Sequence, residues 1–113
     1  MSEAGHASLV VEISDADFDT LVIPSVVPFL VDFWGDHCTP CAIMAPIIAT
    51  LAEEYADRLK VAKIKTNDHQ EIAARYGIIS IPTLLLIKDG AVVERITGAC
   101  PKQQLKHKID PHL

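Results

Sequence analysis

Phe29-Leu30-Val31-Asp32-Phe33-Trp34-Gly35-Asp36-His37-Cys38-Thr39-Pro40-Cys41 is the stretch whose reading decides the fold. Its first six residues form an apolar run with a single carboxylate inside it, the pattern of a central strand covered on both faces. Gly35 to Thr39 make a turn. Pro40 then sits where proline suits the first helical turn, because the amides there have no intrahelical partner. Beyond it Ile43, Ile47, Leu51 and Tyr55 recur with helical spacing beside Met44 and Ile48, which predicts the apolar stripe of an amphipathic helix. Pro46 lies inside that helix and is expected to bend it where the bond to the Ala42 carbonyl is lost. A Cys-x-x-Cys pair is thereby held at a strand-to-helix turn.

Working outward, residues 9–13 (Leu-Val-Val-Glu-Ile) predict a strand. Ser14 offers a helix N-cap, with Asp15 and Asp17 in the first turn of a short helix ending near Leu21. A strand is predicted over 59–64, and Asn67 or Asp68 is expected to cap a short helix stopped by Gly77. Pro82 opens a strand over 83–87. Asp89-Gly90 is a two-residue hairpin signal, so residues 91–97 form its antiparallel partner. Pro101 starts a last helix carrying Leu105 and Ile109. The order β-α-β-α-β-α-β-β-α predicts an α/β fold with a mixed central sheet between helices.

A chain of 113 residues with 50% hydrophobic content suits one domain over residues 1–113. The formal charge of −5 argues against nucleic-acid binding, which needs a basic surface. Every Lys and Arg lies from Arg58 onward, while most of the acids precede it. No Gly/Ser linker separates the halves, so they read as interleaved parts of one fold. Met1 to Ser8 is polar and lacks the pattern of a secretory signal, and the apolar stretch 22–33 is broken by Pro24, Pro28 and Asp32. The expectation is therefore a cytoplasmic protein with no membrane partner. In that setting paired cysteines are catalytic, redox-sensing or metal-binding.

The helix N-terminus behind Cys38 presents unpaired amides and positive dipole, both of which favour a thiolate. Cys38 is accordingly the expected nucleophile, and Cys41 the thiol that resolves the mixed disulfide. The competing reading is half of a zinc site, but zinc needs four ligands. Cys100 lies far along the chain, and His37 adjoins Cys38 too closely to share its ion. No metal is expected. Asp32, set among Leu30, Val31, Phe33 and Trp34, should be desolvated and hold its proton unusually well. It could exchange that proton with Cys41, or merely complete a buried hydrogen bond.

Val31-Asp32-Phe33-Trp34, Cys38-x-Pro40-Cys41, Ala45-Pro46, Val61-Ala62-Lys63, Tyr76-Gly77-Ile78, Ile81-Pro82-Thr83 and Gly98-Ala99 together resemble the thioredoxin family along nearly the whole chain. The resemblance implies the thioredoxin fold: a three-layer α/β/α arrangement with a five-stranded mixed sheet flanked by four helices. It implies reduction of protein disulfides with no cofactor beyond a Cys38–Cys41 disulfide and recycling by a thioredoxin reductase; a monomer is the default expectation. It makes Lys63 the lysine near Asp32, and Pro82 a cis-proline facing the cysteines. Trp34, Ile81, Pro82 and Gly98 match the residues that hold an extended substrate chain, and His37, Thr39 and Pro40 beside the cysteines are expected to join them.

The chain departs from the family pattern at several of these positions. His37 stands where the family has a second tryptophan; charged it would favour the Cys38 thiolate, neutral it could shuttle a proton, or it is simply a tolerated exposed residue. Thr39 replaces a glycine between the cysteines, Ala42 replaces a lysine, and Ser80 stands where glycine is frequent. Cys100 is an additional thiol, read as packing or as a regulatory site. Since Cys-x-x-Cys proteins run from reductants near −270 mV to oxidants near −120 mV, these changes bear on the potential. Two alternatives to a reductase follow: a more oxidising oxidase or isomerase of the same fold, or a non-catalytic binding module.

Overall fold

Strand β2 (Phe29–Trp34) lies at the centre of the sheet, flanked by β3 (Lys60–Lys65) in parallel and β4 (Thr83–Lys88) antiparallel. The computed structural model describes residues 9–113; the polar segment Met1–Ser8 lies outside them. β1 (Val10–Ile13) pairs in parallel with the outer side of β3, and β5 (Ala91–Thr97) closes the other edge against β4. The spatial order is β1-β3-β2-β4-β5, a five-stranded mixed sheet. The hairpin between β4 and β5 turns on Asp89 and Gly90, whose φ values of 53° and 80° are those a tight primed turn demands.

The helices are α1 (Asp15–Asp17, continuing as a wider π turn over Phe18–Val22), α2 (Thr39–Glu54), α3 (Gln70–Arg75) and α4 (Lys102–Ile109), which ends in a 3-10 turn at Asp110–His112. Ser14 caps α1 as expected, and its exchange is reciprocal. Its hydroxyl accepts from the Asp17 amide at 3.2 Å while the Asp17 carboxylate accepts from the Ser14 amide at 3.0 Å. α2 runs through Pro46 to Glu54, with the Thr50 hydroxyl donating to the Pro46 carbonyl at 2.9 Å.

Because side chains alternate along a strand, the sheet divides the core in two. Toward α2 and α4, Leu30, Val61, Leu84 and Leu86 pack with Met44, Ile48, Leu51, Leu105 and Ile109. Toward α1 and α3, Val31, Phe33, Ile64 and Leu85 pack with Phe18, Val22 and Ile72. Cys100 is half-buried against the first cluster, and its amide donates to the Met44 sulfur at 3.4 Å. Burial pushes its thiol pKa up, away from the reactive thiolate.

Two expectations need correction. The buried face of α2 is Cys41, Met44, Ile48, Leu51 and Ala52, whereas Ile43 is 54% exposed. The stripe is rotated because the sheet beneath receives Met44 and Ile48. The cap of α3 is also neither Asn67 nor Asp68. Asp15, from α1, accepts from the amides of Ile72 at 3.0 Å and Glu71 at 3.3 Å. A tertiary cap of this kind ties α3 to α1 directly. Asp15→Ala is expected to lower stability by about 1 kcal/mol, read as a reduced urea midpoint at unchanged slope.

Candidate active site

The chemistry gathers where β2 ends and α2 begins. Cys38 is the N-cap of α2, in extended conformation, and the amide of Cys41 donates to its sulfur at 3.2 Å. Cys38 and Cys41 are joined as a disulfide. The two are unequal: Cys38 is half-buried, whereas Cys41 is only 5% exposed. The outer sulfur can meet a macromolecular disulfide, and the inner one cannot. The same amide that caps the helix would stabilise negative charge on Cys38 once the disulfide opens.

Strand parity places Asp32 on the face covered by α2, where it is 4% exposed and its Oδ1 has no hydrogen-bond partner. Burial raises its pKa to about 7; the nearby Lys63 ammonium opposes this shift and the Glu12 carboxylate adds to it. Lys63 is in register with Asp32 across the β2–β3 pairing. Its ammonium, however, pairs with Glu12 at 3.7 Å.

Asp32, Lys63, Trp34, His37, Cys38, Thr39 and Cys41 line one cleft of about 470 Å³. The cleft therefore brings together every sequence-derived candidate except Pro40, Ile81, Pro82 and Gly98. Pro40 is exposed on the first turn of α2. Ile81 lies on the far side of the cysteines, its carbonyl oxygen 3.8 Å from the Cys38 sulfur, and the Ile81–Pro82 bond is cis. The Gly98 amide donates to the Pro82 carbonyl at 2.8 Å, which fixes that loop beside β5. His37 is exposed with φ 56°, in the left-handed region that histidine enters more readily than most residues. A Cβ at Gly35 would stand 2.8 Å from both Asn67 Oδ1 and Ile81 Cδ1, so a side chain there would displace the ends of those two side chains.

Glu12 is the site residue that sequence reasoning missed. Besides Lys63 it holds Trp34, whose indole Nε1 donates to Glu12 Oε2 at 3.2 Å. The signal was a lone acid in an otherwise apolar strand, the same signal that singled out Asp32. Asn67, expected as a helix cap, instead accepts from the Asp36 amide at 2.9 Å, bracing the turn before Cys38. Among the described residues, no group of three or more His, Cys, Asp or Glu side chains is placed to hold a metal ion.

Residues 9–111 match the family model described as Thioredoxin. The chain is 46% identical over 106 residues to the thioredoxin of Haemophilus influenzae, covering 94% of this chain and 99% of that one. It is 42% identical over 106 residues to thioredoxin 1 of Synechococcus elongatus, with the same coverage. Against the chloroplastic M-type thioredoxin of Pisum sativum it is 44% identical over 101 residues, covering 89% of this chain and 59% of that one.

The raised pKa of Asp32 has a consequence for stability. The native carboxyl keeps its proton to about pH 7, while in the unfolded chain it ionises near the ordinary value of 3.8. Between those values the native state binds more protons, so this contribution to stability is present at low pH and is lost as pH rises toward 7. Asp32→Asn is therefore expected to stabilise the oxidised protein by roughly 2–4 kcal/mol near pH 8 and by little near pH 4, measured by urea unfolding at both.

Proposed function

The chain belongs to the thioredoxin family and is a thiol–disulfide oxidoreductase that reduces protein disulfides, and on that premise we propose how its residues divide the work. Cys38 is the nucleophile. Its thiolate attacks one sulfur of a substrate disulfide, and the other substrate sulfur leaves as a thiolate. Asp32, as carboxylate, takes the proton of Cys41. The Cys41 thiolate then attacks the Cys38 sulfur, displaces the second substrate thiolate and leaves the Cys38–Cys41 disulfide. Two electrons have passed to the substrate. Lys63 lies beside Asp32 and favours its ionised form when the proton is to be accepted.

The single observation that carries this division is the asymmetry of the pair. Cys38 caps α2 and receives the Cys41 amide at 3.2 Å, whereas Cys41 is buried in the cleft that Asp32 also lines. Pro40 is exposed on the first turn of α2 between the two cysteines; Trp34, His37 and Thr39 form one wall for the substrate chain, and Ile81, Pro82 and Gly98 form the other. An extended substrate segment fits between them by main-chain contacts.

The electrons are resupplied by a thioredoxin reductase, and the need for that supply supports a cytoplasmic location. That both cysteines and both walls of the cleft come from one chain supports reading the protein as a monomer and a single domain. No helix among the described residues is long and apolar enough to cross a membrane.

Trapping tests the assignment. Cys41→Ala should accumulate mixed disulfides on Cys38, visible as higher-mass bands that dithiothreitol removes, and Cys38→Ala should accumulate none. Equal trapping by both variants, or none by either, contradicts the assigned roles.

A further inference from the structure

Three charged side chains stand in one row across the sheet. The register sets Glu12 of β1 opposite Lys63 of β3, and Lys63 opposite Asp32 of β2. The row therefore reads carboxylate, ammonium, carboxyl, running from the sheet edge inward beneath α2. The ammonium at its middle does not stand evenly between its neighbours. It lies 3.7 Å from Glu12 Oε1, whereas the inner Oδ1 of Asp32 is left without a partner. A cavity of about 140 Å³, lined by Asp32, Lys63, Val10, Ala45, Ile48 and Ala49, gives the ammonium room to approach Asp32.

The other carboxylate oxygen of Glu12 accepts from Trp34 Nε1 at 3.2 Å, and the Lys63 ammonium sits 5.2 Å from the centre of the same indole ring. One half-exposed glutamate thus holds two groups at once: the lysine beside the buried acid and the tryptophan that walls the cleft.

We propose that Glu12 is a positioning residue for the redox site, which draws Lys63 outward from Asp32 and fixes the Trp34 indole against the cleft. Burial keeps the proton on Asp32, and holding its nearest cation away with a second anion adds to that effect. The charged groups facing Asp32 are Lys63 from β3 and Glu12 from β1. α2 presents Cys41 with the apolar Ala45 and Ile48, and β4 places Leu84 opposite. Lys65 lies further along β3 and is engaged by Asp36 at 3.1 Å. With Glu12 neutral, Lys63 is free to move inward, and both changes favour the Asp32 carboxylate.

This inference rests on Asp32 being the acid–base group only for its effect on turnover, so the test reads the carboxyl itself. The Asp32 side-chain carbon is followed by NMR through a pH titration of the full chain, alongside Trp34 fluorescence and the pH profile of disulfide reduction. Glu12→Gln keeps a hydrogen-bond acceptor for the indole but loses the charge. It is expected to lower the Asp32 midpoint by roughly half a pH unit and to leave Trp34 emission unchanged. Glu12→Ala should lower the midpoint similarly and also change the emission.

In a Lys63→Met background the shift caused by Glu12→Gln should shrink. An unmoved midpoint in Glu12→Gln, or a shift of equal size with and without Lys63, overturns the proposal. If the midpoint moves and the pH profile of reduction does not, Glu12 positions Lys63 as inferred and the acid–base role of Asp32 is what fails.

Discussion

Along β2, Leu30 and Asp32 point toward α2 while Phe29, Val31 and Phe33 point toward α1 and α3. A carboxyl group is thereby committed to an apolar layer, beneath the helix whose first turn carries the two cysteines. That helix covers the acid with Cys41 and with the apolar residues that follow it, and so deprives it of water. The same strand delivers the chain to the turn at Gly35–His37, which sets Cys38 at the helix N-terminus. The acid, the buried cysteine and the half-buried one are thus positioned by one strand and the helix it feeds. The other strands hold that unit in place, and β1 and β3 add charges to it.

The energetic character of the site follows from what is left unmade. Burying a carboxyl without a hydrogen-bond partner destabilises its charged form, which is why it holds a proton near neutrality. The fold tolerates this because β2 is otherwise apolar and packed on both faces. At the outer cysteine the arrangement is the reverse: an amide at the start of α2 points at Cys38, and the unpaired N–H groups of that turn favour negative charge. Negative charge is thus favoured at the Cys38 sulfur and disfavoured at Asp32, two different environments within one cleft.

Much of this was legible in the sequence because its signals are local. The apolar run with one acid, the Cys-x-x-Cys before a helical stripe, and Asp89-Gly90 between two strands each fix conformation through their immediate neighbours. The relations that could not be read are those between distant segments. Asp15 caps α3 across the interface with α1, a pairing that no local pattern announces. Ile43 looks like a core residue by spacing, yet α2 is rotated by what the sheet offers beneath it. Glu12 reaches the site because β1 lies next to β3 in a particular register. A shift of one residue would send its side chain to the opposite face.

His37, Thr39 and Ala42, which depart from the family pattern, line the cleft beside the two cysteines. The balance between dithiol and disulfide separates a reductant from an oxidant built on the same fold. The direct measurement is the reduction potential of the Cys38–Cys41 couple, equilibrated in thiol–disulfide buffers and read by alkylation. A reductase of protein disulfides predicts a value near or below about −250 mV, and a value above about −200 mV would contradict that account.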